Sequence, residues 1–376
     1  MKNLILLFLF LLIFNTYAAE DYTVQSYDPS VQYKAITLED YNGDGIADVW
    51  AGDFNGYSIG IWVFNPIAVA DLDDDDDMDA VVAVRSNGTY VCINNGDSWA
   101  VSNIDGSYGW QVLIDDFDKD GNLDIVSGTD WTYIKVFYGD GSGSFTLGAS
   151  PQLEQSNGDC KGLNVVDINN DDRPDLIGLV SEWYGGGSNQ YFLRAYANID
   201  TGNINWTSVG HPDYYSSYPN WTQSSPNSSG DLNKDGYIDL VGYTWDNRLN
   251  IYHGGAVDDS LTWTEENVAT LTAPVTAAAM FDLDNDTYLD IIYGGYTNFN
   301  DLHIYYNDQV GSFVYDSVKV DFGIGDFHSL KAADITGNGW NDIIASKYSG
   351  SNDGFVFFRN VKSSGRIYVD ENDTGN

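Results

Sequence analysis

One nine-residue pattern occurs seven times in this chain and restricts its fold more than any other feature. The copies are DYNGDGIAD from Asp40, DLDDDDDMD from Asp71, DFDKDGNLD from Asp116, DINNDDRPD from Asp167, DLNKDGYID from Asp231, DLDNDTYLD from Asp282 and DITGNGWND from Asp334. Their starts lie 31, 45, 51, 64, 51 and 52 residues apart. Self-similarity at such spacing signals an array of small units, each burying its apolar face only against its neighbours.

The surroundings of each copy define the unit. A short apolar run precedes it (IAVA, QVLI, LNVV), a β-rich run follows (DAVVAV, DIVSG, DLIGLV), and a third strand signal comes next (TYVCINN, YIKVFYGD, LHIYYND), often with a fourth. Four short strands per unit, joined by Gly/Asn/Asp/Ser turns, make one propeller blade. The expected fold is therefore all-β, a seven-bladed β-propeller spanning 19–376. An EF-hand needs a Glu at position 12 and flanking helices, and calcium-binding β-helices repeat near nine residues; neither fits. Two units are irregular. After Asp40 there is room for three strands, so YTVQSY (22–27) either supplies an outer strand or closes the ring against the last blade. The fifth unit has the polar PNSSG (226–230) where others are apolar.

The pattern has the chemistry of a hard-cation loop, since calcium takes six to eight oxygens converging on a tight turn. Position 1 (Asp40, Asp71, Asp116, Asp167, Asp231, Asp282, Asp334) and position 3 (Asn42, Asp73, Asp118, Asn169, Asn233, Asp284, Thr336) offer side-chain oxygens. So do position 5 (Asp44, Asp75, Asp120, Asp171, Asp235, Asp286, Asn338) and position 9 (Asp48, Asp79, Asp124, Asp175, Asp239, Asp290, Asp342). Position 7 (Ile46, Asp77, Asn122, Arg173, Tyr237, Tyr288, Trp340) offers a backbone carbonyl. Position 6 must turn sharply and suits Gly45, Gly121, Gly236 and Gly339; Asp76 and Asp172 tolerate it, while β-branched Thr287 fits poorly. The loops from Asp71, Asp116 and Asp282 carry four carboxylates, and the last loop two, so it should bind most weakly.

With 56 acidic against 16 basic residues and a formal charge of −40, the chain repels polyanions, which excludes nucleic acid and anionic membrane surfaces as partners. An apolar run from Leu4 to Phe14 behind Lys2, then polar and small residues up to Ala18, reads as a signal peptide over 1–18. The mature chain is expected to be secreted, without membrane insertion. Cys92 and Cys160 fall in non-adjacent repeats, which makes a bridge between them doubtful.

These repeats resemble the FG-GAP/VCBS family, which includes the propeller of integrin α chains and fungal seven-bladed lectins. FGIGDFHSLKAADITGNGWNDIIASKY (322–348) is nearest the integrin form, although the GAP triplet itself is absent. The resemblance implies calcium loops between the first and second strands of a blade, with ligands meeting the opposite face. Aromatic residues concentrate in the segments that would build that face, and the candidates are Trp110, Trp131, Trp183, Tyr184, Trp245, Tyr296, His328 and Tyr348. Aromatic rings beside Asn, Asp and Gly suit carbohydrate stacking or a protein interface. Two functions follow: a monomeric binding or adhesion module for glycan or extracellular protein, or a propeller-fold polysaccharide lyase or hydrolase. The second has little sequence support, since none of the four histidines lies in a recognisable catalytic motif and His328 with Tyr348 or Lys347 is its best combination.

Overall fold

The computed structural model describes residues 9–15, 22–25, 35–39, 48–53, 67–84, 87–96, 98–129, 133–151, 159–183, 189–200, 204–209, 229–243, 248–257, 260–271, 275–295, 301–309, 312–319, 326–348, 354–361 and 366–369. Among these, all regular structure is β, in seven four-stranded antiparallel sheets. In the second to seventh sheets, strand order follows chain order. The second sheet, for instance, runs Ile67–Ala70, Asp79–Val84, Gly88–Asn94, Trp99–Asp105.

Burial explains this composition. The second strands Asp79–Val84, Asp124–Thr129 and Asp290–Gly295 are buried at every residue, because a neighbouring sheet covers each face. The outer strand Trp99–Asp105 is mostly exposed, Trp99 and Val101 included. Alternate residues of a first strand serve opposite neighbours, as the two-residue period requires. In Val275–Phe281, Ala277, Ala279 and Phe281 pack on Leu330, Ile343, Ala345 and Phe358 of the seventh sheet, whereas Ala278 and Met280 pack on Val241, Leu249 and Ile251 of the fifth. Each such large apolar side chain contributes roughly 1.5–3 kcal/mol.

The first strands are Ala35–Glu39, Ile67–Ala70, Gly109–Asp115, Asp159–Val166, Ser229–Gly230, Val275–Phe281 and Asp326–Ala333. Each touches the next in this order, and Asp326–Ala333 touches Ala35–Glu39. Sheets arranged around their first strands in this way form a β-propeller.

The first sheet is assembled differently, in the order Ala35–Glu39, Asp48–Asp53, Leu9–Asn15, Tyr22–Gln25. Tyr22–Gln25 takes the outer edge, the first of the two roles open to YTVQSY. Leu9–Asn15, inside the expected leader, pairs with Asp48–Asp53 from Leu9↔Asp53 to Ile13↔Val49. An apolar run suits a strand covered on both faces as well as it suits a leader.

In the fifth sheet the described part of PNSSG, Ser229–Gly230, is the first strand. A Cβ on Gly230 would lie 2.4 Å from Leu289 Cδ1 in the loop of the sixth sheet, so a side chain there would require the Leu289 side chain to shift. Four first strands share a bulge, with Trp110, Gly162, Thr276 and His328 as the extra residues. Cys92 and Cys160 are buried and are not bridged to each other.

Candidate metal centre

Six of the seven acidic loops lie within the described residues, and all join the first to the second strand of a sheet. Of the loop from Asp40, residues 40–47 (with Asn42, Asp44 and Ile46) lie outside them, and Asp48 opens the second strand of the first sheet. One set of hydrogen bonds builds all six loops. The position-1 carboxylate accepts the N–H of position 5 at 3.0–3.2 Å and of position 6 at 2.6–3.1 Å. The side chain at position 5 accepts the N–H of position 7 at 2.8–3.0 Å.

Position 9 is the first residue of the second strand and, in all six loops, is fully buried. Its Oδ2 accepts the N–H of position 2 at 2.8–2.9 Å in five loops, and that of position 3 (Thr336) at 3.0 Å in the seventh. Its Oδ1 accepts an N–H at the end of the third strand at 2.6–3.0 Å: from Asn94, Gly139, Asn198, Gly254, Asn307 or Asn360. Position 9 therefore ties three strands together besides being a candidate ligand.

The carboxylates gather at positions 1, 3 and 9. Asp71, Asp73 and Asp79 bring ligand atoms within 4.8 Å of one another, as do Asp116, Asp118 and Asp124, and Asp282, Asp284 and Asp290. These are the three loops with four carboxylates in sequence; Asp75, Asp120 and Asp286 at position 5 stand outside the clusters. Burial, then the neighbouring carboxylates, pushes Asp73 and Asp284 above the usual carboxylate range, and Asp118 rises through burial and Asp120. Burial pushes Asp79, Asp175 and Asp342 up to about 6, and Asp124 and Asp290 up to about 7, against the lowering effect of their backbone hydrogen bonds. Asp73 Oδ1 and Asp284 Oδ1 are buried with no hydrogen-bond partner. Crowded, desolvated carboxylates with orphaned oxygens fit a bound cation, which would supply the missing positive charge.

Sequence reasoning placed one left-handed residue per loop, and the structure has two. Position 4 is left-handed as well, with φ of 57–60° at Asp74, Lys119, Asn170, Lys234 and Asn285 and 66° at Gly337. The two lysines hide this in sequence. Thr287, which fits position 6 poorly, adopts φ 76° there, held by its N–H to Asp282 Oδ2 at 2.9 Å and by Lys234 Nζ on its Oγ1.

Also missed was an asparagine that links sheets. At the end of the third strand, the Nδ2 of Asn198, Asn307 and Asn360 donates to the position-2 carbonyl of the preceding sheet: to Phe117 at 2.6 Å, Leu232 at 2.9 Å and Leu283 at 2.6 Å.

The opposite face is built by second-to-third connections and by the chain entering each first strand. Trp110 is placed otherwise than expected: as the extra residue of its bulge it is 2% exposed, so its ring packs in the interior and is closed to a ligand. Trp183 and Tyr348 end second strands and His328 is a bulge residue; their side chains lie outside the described residues, as do Trp131, Tyr184, Trp245 and Tyr296 altogether. Tyr108, not singled out from sequence, is 48% exposed on the segment entering the third sheet at this face. Of the histidines, His253 bonds to Asp239 and Glu266, which raise its pKa to about 9, and His303 stacks on Tyr293 and bonds to Tyr315 Oη at 2.7 Å.

Comparison with known proteins agrees with the repeat. Residues 116–178, 231–293 and 282–345 match the FG-GAP-like repeat. No curated protein matches the chain. A mercury-soaked crystal structure of BBS1N in complex with ARL6DN is similar at 13% identity and TM-score 0.50, over 83% of this chain and 84% of that one, a likeness of fold. A mutant of the Aleuria aurantia lectin in complex with alpha-methyl-L-fucoside matches at 11% identity and TM-score 0.44, over 90% of this chain and 96% of that one. In these segments the sequence pattern, the loop geometry and the family match coincide, and residues 116–178 and 231–345 of the chain carry FG-GAP-like repeats.

Proposed function

We propose that this protein is an exported, calcium-stabilised seven-bladed propeller that acts as a binding module for glycan or extracellular protein. The observation that carries the calcium reading is the orphaned, buried Oδ1 of Asp73 and Asp284 within clusters of three carboxylates. Positions 1, 3, 5 and 9 would hold the ion through side chains and position 7 through its carbonyl. A hard divalent cation there supplies charge neutralisation and closes the loop; it has no redox role. Extracellular calcium is abundant enough to load sites of the millimolar class. Seven blades are supported by the seven repeats and by the succession of first strands, which returns from Asp326–Ala333 to Ala35–Glu39.

Binding is assigned to the face opposite the loops, since the loop face is committed to the cation scaffold. Exposed Tyr108 and the aromatic sequence of the second-to-third connections support this. Cleavage after Ala18 would remove Leu9–Asn15, so the first sheet of a secreted chain would have to re-pair beside Asp48–Asp53. The test is a glycan array and a cell-surface binding assay with calcium-loaded protein, repeated in chelator and with Tyr108→Ala. Failure of the calcium-loaded protein to bind any glycan or surface fraction would overturn the binding assignment; a melting temperature indifferent to chelator would overturn the calcium assignment.

A further inference from the structure

Neighbouring loops are bonded to one another, most heavily the sixth and the seventh. Asn285, at position 4 of the sixth loop, donates Nδ2 to Gly339 O at 2.6 Å, and Asn341, at position 8 of the seventh, donates back to Asp282 O at 2.9 Å. Asn360 joins both loops. Its Nδ2 donates to Leu283 O at 2.6 Å and to Asn341 O at 3.1 Å, its N–H to Asp342 Oδ1 at 2.7 Å, and its carbonyl accepts Asn338 Nδ2 at 2.8 Å. The carbonyls of positions 1 and 2 in the sixth loop are thus fixed by residues that also shape positions 5, 8 and 9 of the seventh. The sixth loop has three clustered carboxylates, whereas the seventh offers only Asp334 and Asp342 as charged donors.

We propose that the sixth and seventh loops load cations as a coupled pair, with Asn285, Asn341 and Asn360 as positioning residues through which an occupied sixth loop organises the weak seventh site. The inference rests on the calcium reading. Its physical content is preorganisation: a donor set too weak to order its own loop binds when a bonded neighbour orders it. Neither Asn285 nor Asn341 is a ligand, so their effect on the seventh site is transmitted only through these bonds.

The seventh loop carries its own reporter, because Trp340 at position 7 is the only tryptophan in any of the seven patterns. Tb³⁺, which takes the oxygen donors that Ca²⁺ takes, is titrated into the full-length protein and its luminescence excited through tryptophan. The Trp340→Phe protein identifies the part of the signal that belongs to the seventh loop. Asp284→Ala disables the sixth site; Asn341→Ala and Asn285→Ala cut the links and leave every ligand in place. Circular dichroism checks the fold of each variant, and equilibrium dialysis counts bound Ca²⁺.

The expected result is a shift of the Trp340-dependent signal to at least tenfold higher Tb³⁺ in Asp284→Ala, and a shift in the same direction in Asn341→Ala and Asn285→Ala. An unchanged Trp340-dependent titration in folded Asp284→Ala, or in both asparagine variants, overturns the coupling while Ca²⁺ binding by dialysis leaves the calcium reading intact. No Ca²⁺ bound by the parent protein overturns both.

Discussion

Two carboxylates of one cluster should behave oppositely when the cation is withheld. Asp290 accepts the N–H of Leu283 and of Asn307, each at 2.9 Å, in a fully buried position, and accepts them in either protonation state. Asp290→Ala leaves two buried donors unpaired at about 1–3 kcal/mol each, a loss of about 4 kcal/mol. Asp284 is the contrast. Its Oδ1 has no partner, and burial, then the charge of Asp286, disfavours its ionisation, only partly offset by the Asp286 N–H, which Asp282 Oδ1 accepts at 3.1 Å. Asp284→Ala therefore relieves repulsion and costs about nothing without metal. For 376 residues at about 2.1 cal/mol/K per residue, the entropy of unfolding is about 0.8 kcal/mol/K, so 4 kcal/mol corresponds to about 5 °C. Scanning calorimetry in chelator should show Asp290→Ala melting about 5 °C below the parent and Asp284→Ala within about 1 °C of it. In millimolar calcium both variants should fall below the parent, each having lost a site. Equal losses in chelator would refute the assignment of position 9 to structure plus ligation and of position 3 to ligation.

Lys331 is 8% exposed on the first strand of the seventh sheet, and burial alone lowers its pKa to about 7. Between that value and its ordinary 10.5 the unfolded chain holds a proton the native chain lacks, so this residue makes stability rise with pH across the window and level off below about 7. Lys331→Met should raise the melting temperature at pH 6–7, by at most about 4–5 kcal/mol in stability, with the gain vanishing near pH 10.5; a pH-independent gain would contradict the buried charge. Thr287→Gly removes a β-branched residue from φ 76° and should stabilise by about 1 kcal/mol, while Gly236→Thr should destabilise, both read by calorimetry. N-terminal sequencing of exported protein should begin at Ala19; retention of residues 9–15 would make Leu9–Asn15 a permanent strand of the first sheet and end the leader assignment.

The loops were legible because coordination fixes residue type at fixed spacing, and the second strands because burial on both faces leaves an unbroken apolar run. Legibility stopped where one sequence satisfies two environments, as in Leu9–Asn15, or where a partner's distance along the chain varies. The residue that meets position 9 at the end of the third strand is such a case. Asn94, Asn198, Asn307 and Asn360 follow their position-9 aspartates by 15, 23, 17 and 18 residues, since the second and third strands and their connection differ in length. In the third and fifth sheets the same place holds Gly139 and Gly254, and geometry gives the reason. Each asparagine donates Nδ2 to the position-8 carbonyl, at 3.1–3.4 Å. Each glycine lets that carbonyl approach instead, so that an added Cβ would stand 2.2 Å from Leu123 O or 2.3 Å from Ile238 O. A glycine cannot also reach back to the preceding sheet. Other residues make the connection there: Lys135 to Asp105 at 2.7 Å between the second and third sheets, and Asn170 to Gly236 O at 2.9 Å between the fourth and fifth. The joints between blades are therefore of two chemical kinds. The charge pair at the second joint is part-buried, with side-chain exposures of 20% for Lys135 and 9% for Asp105, so salt screens it less than a surface pair, and the neutral amide bonds at the sixth joint offer salt no ion pair to screen.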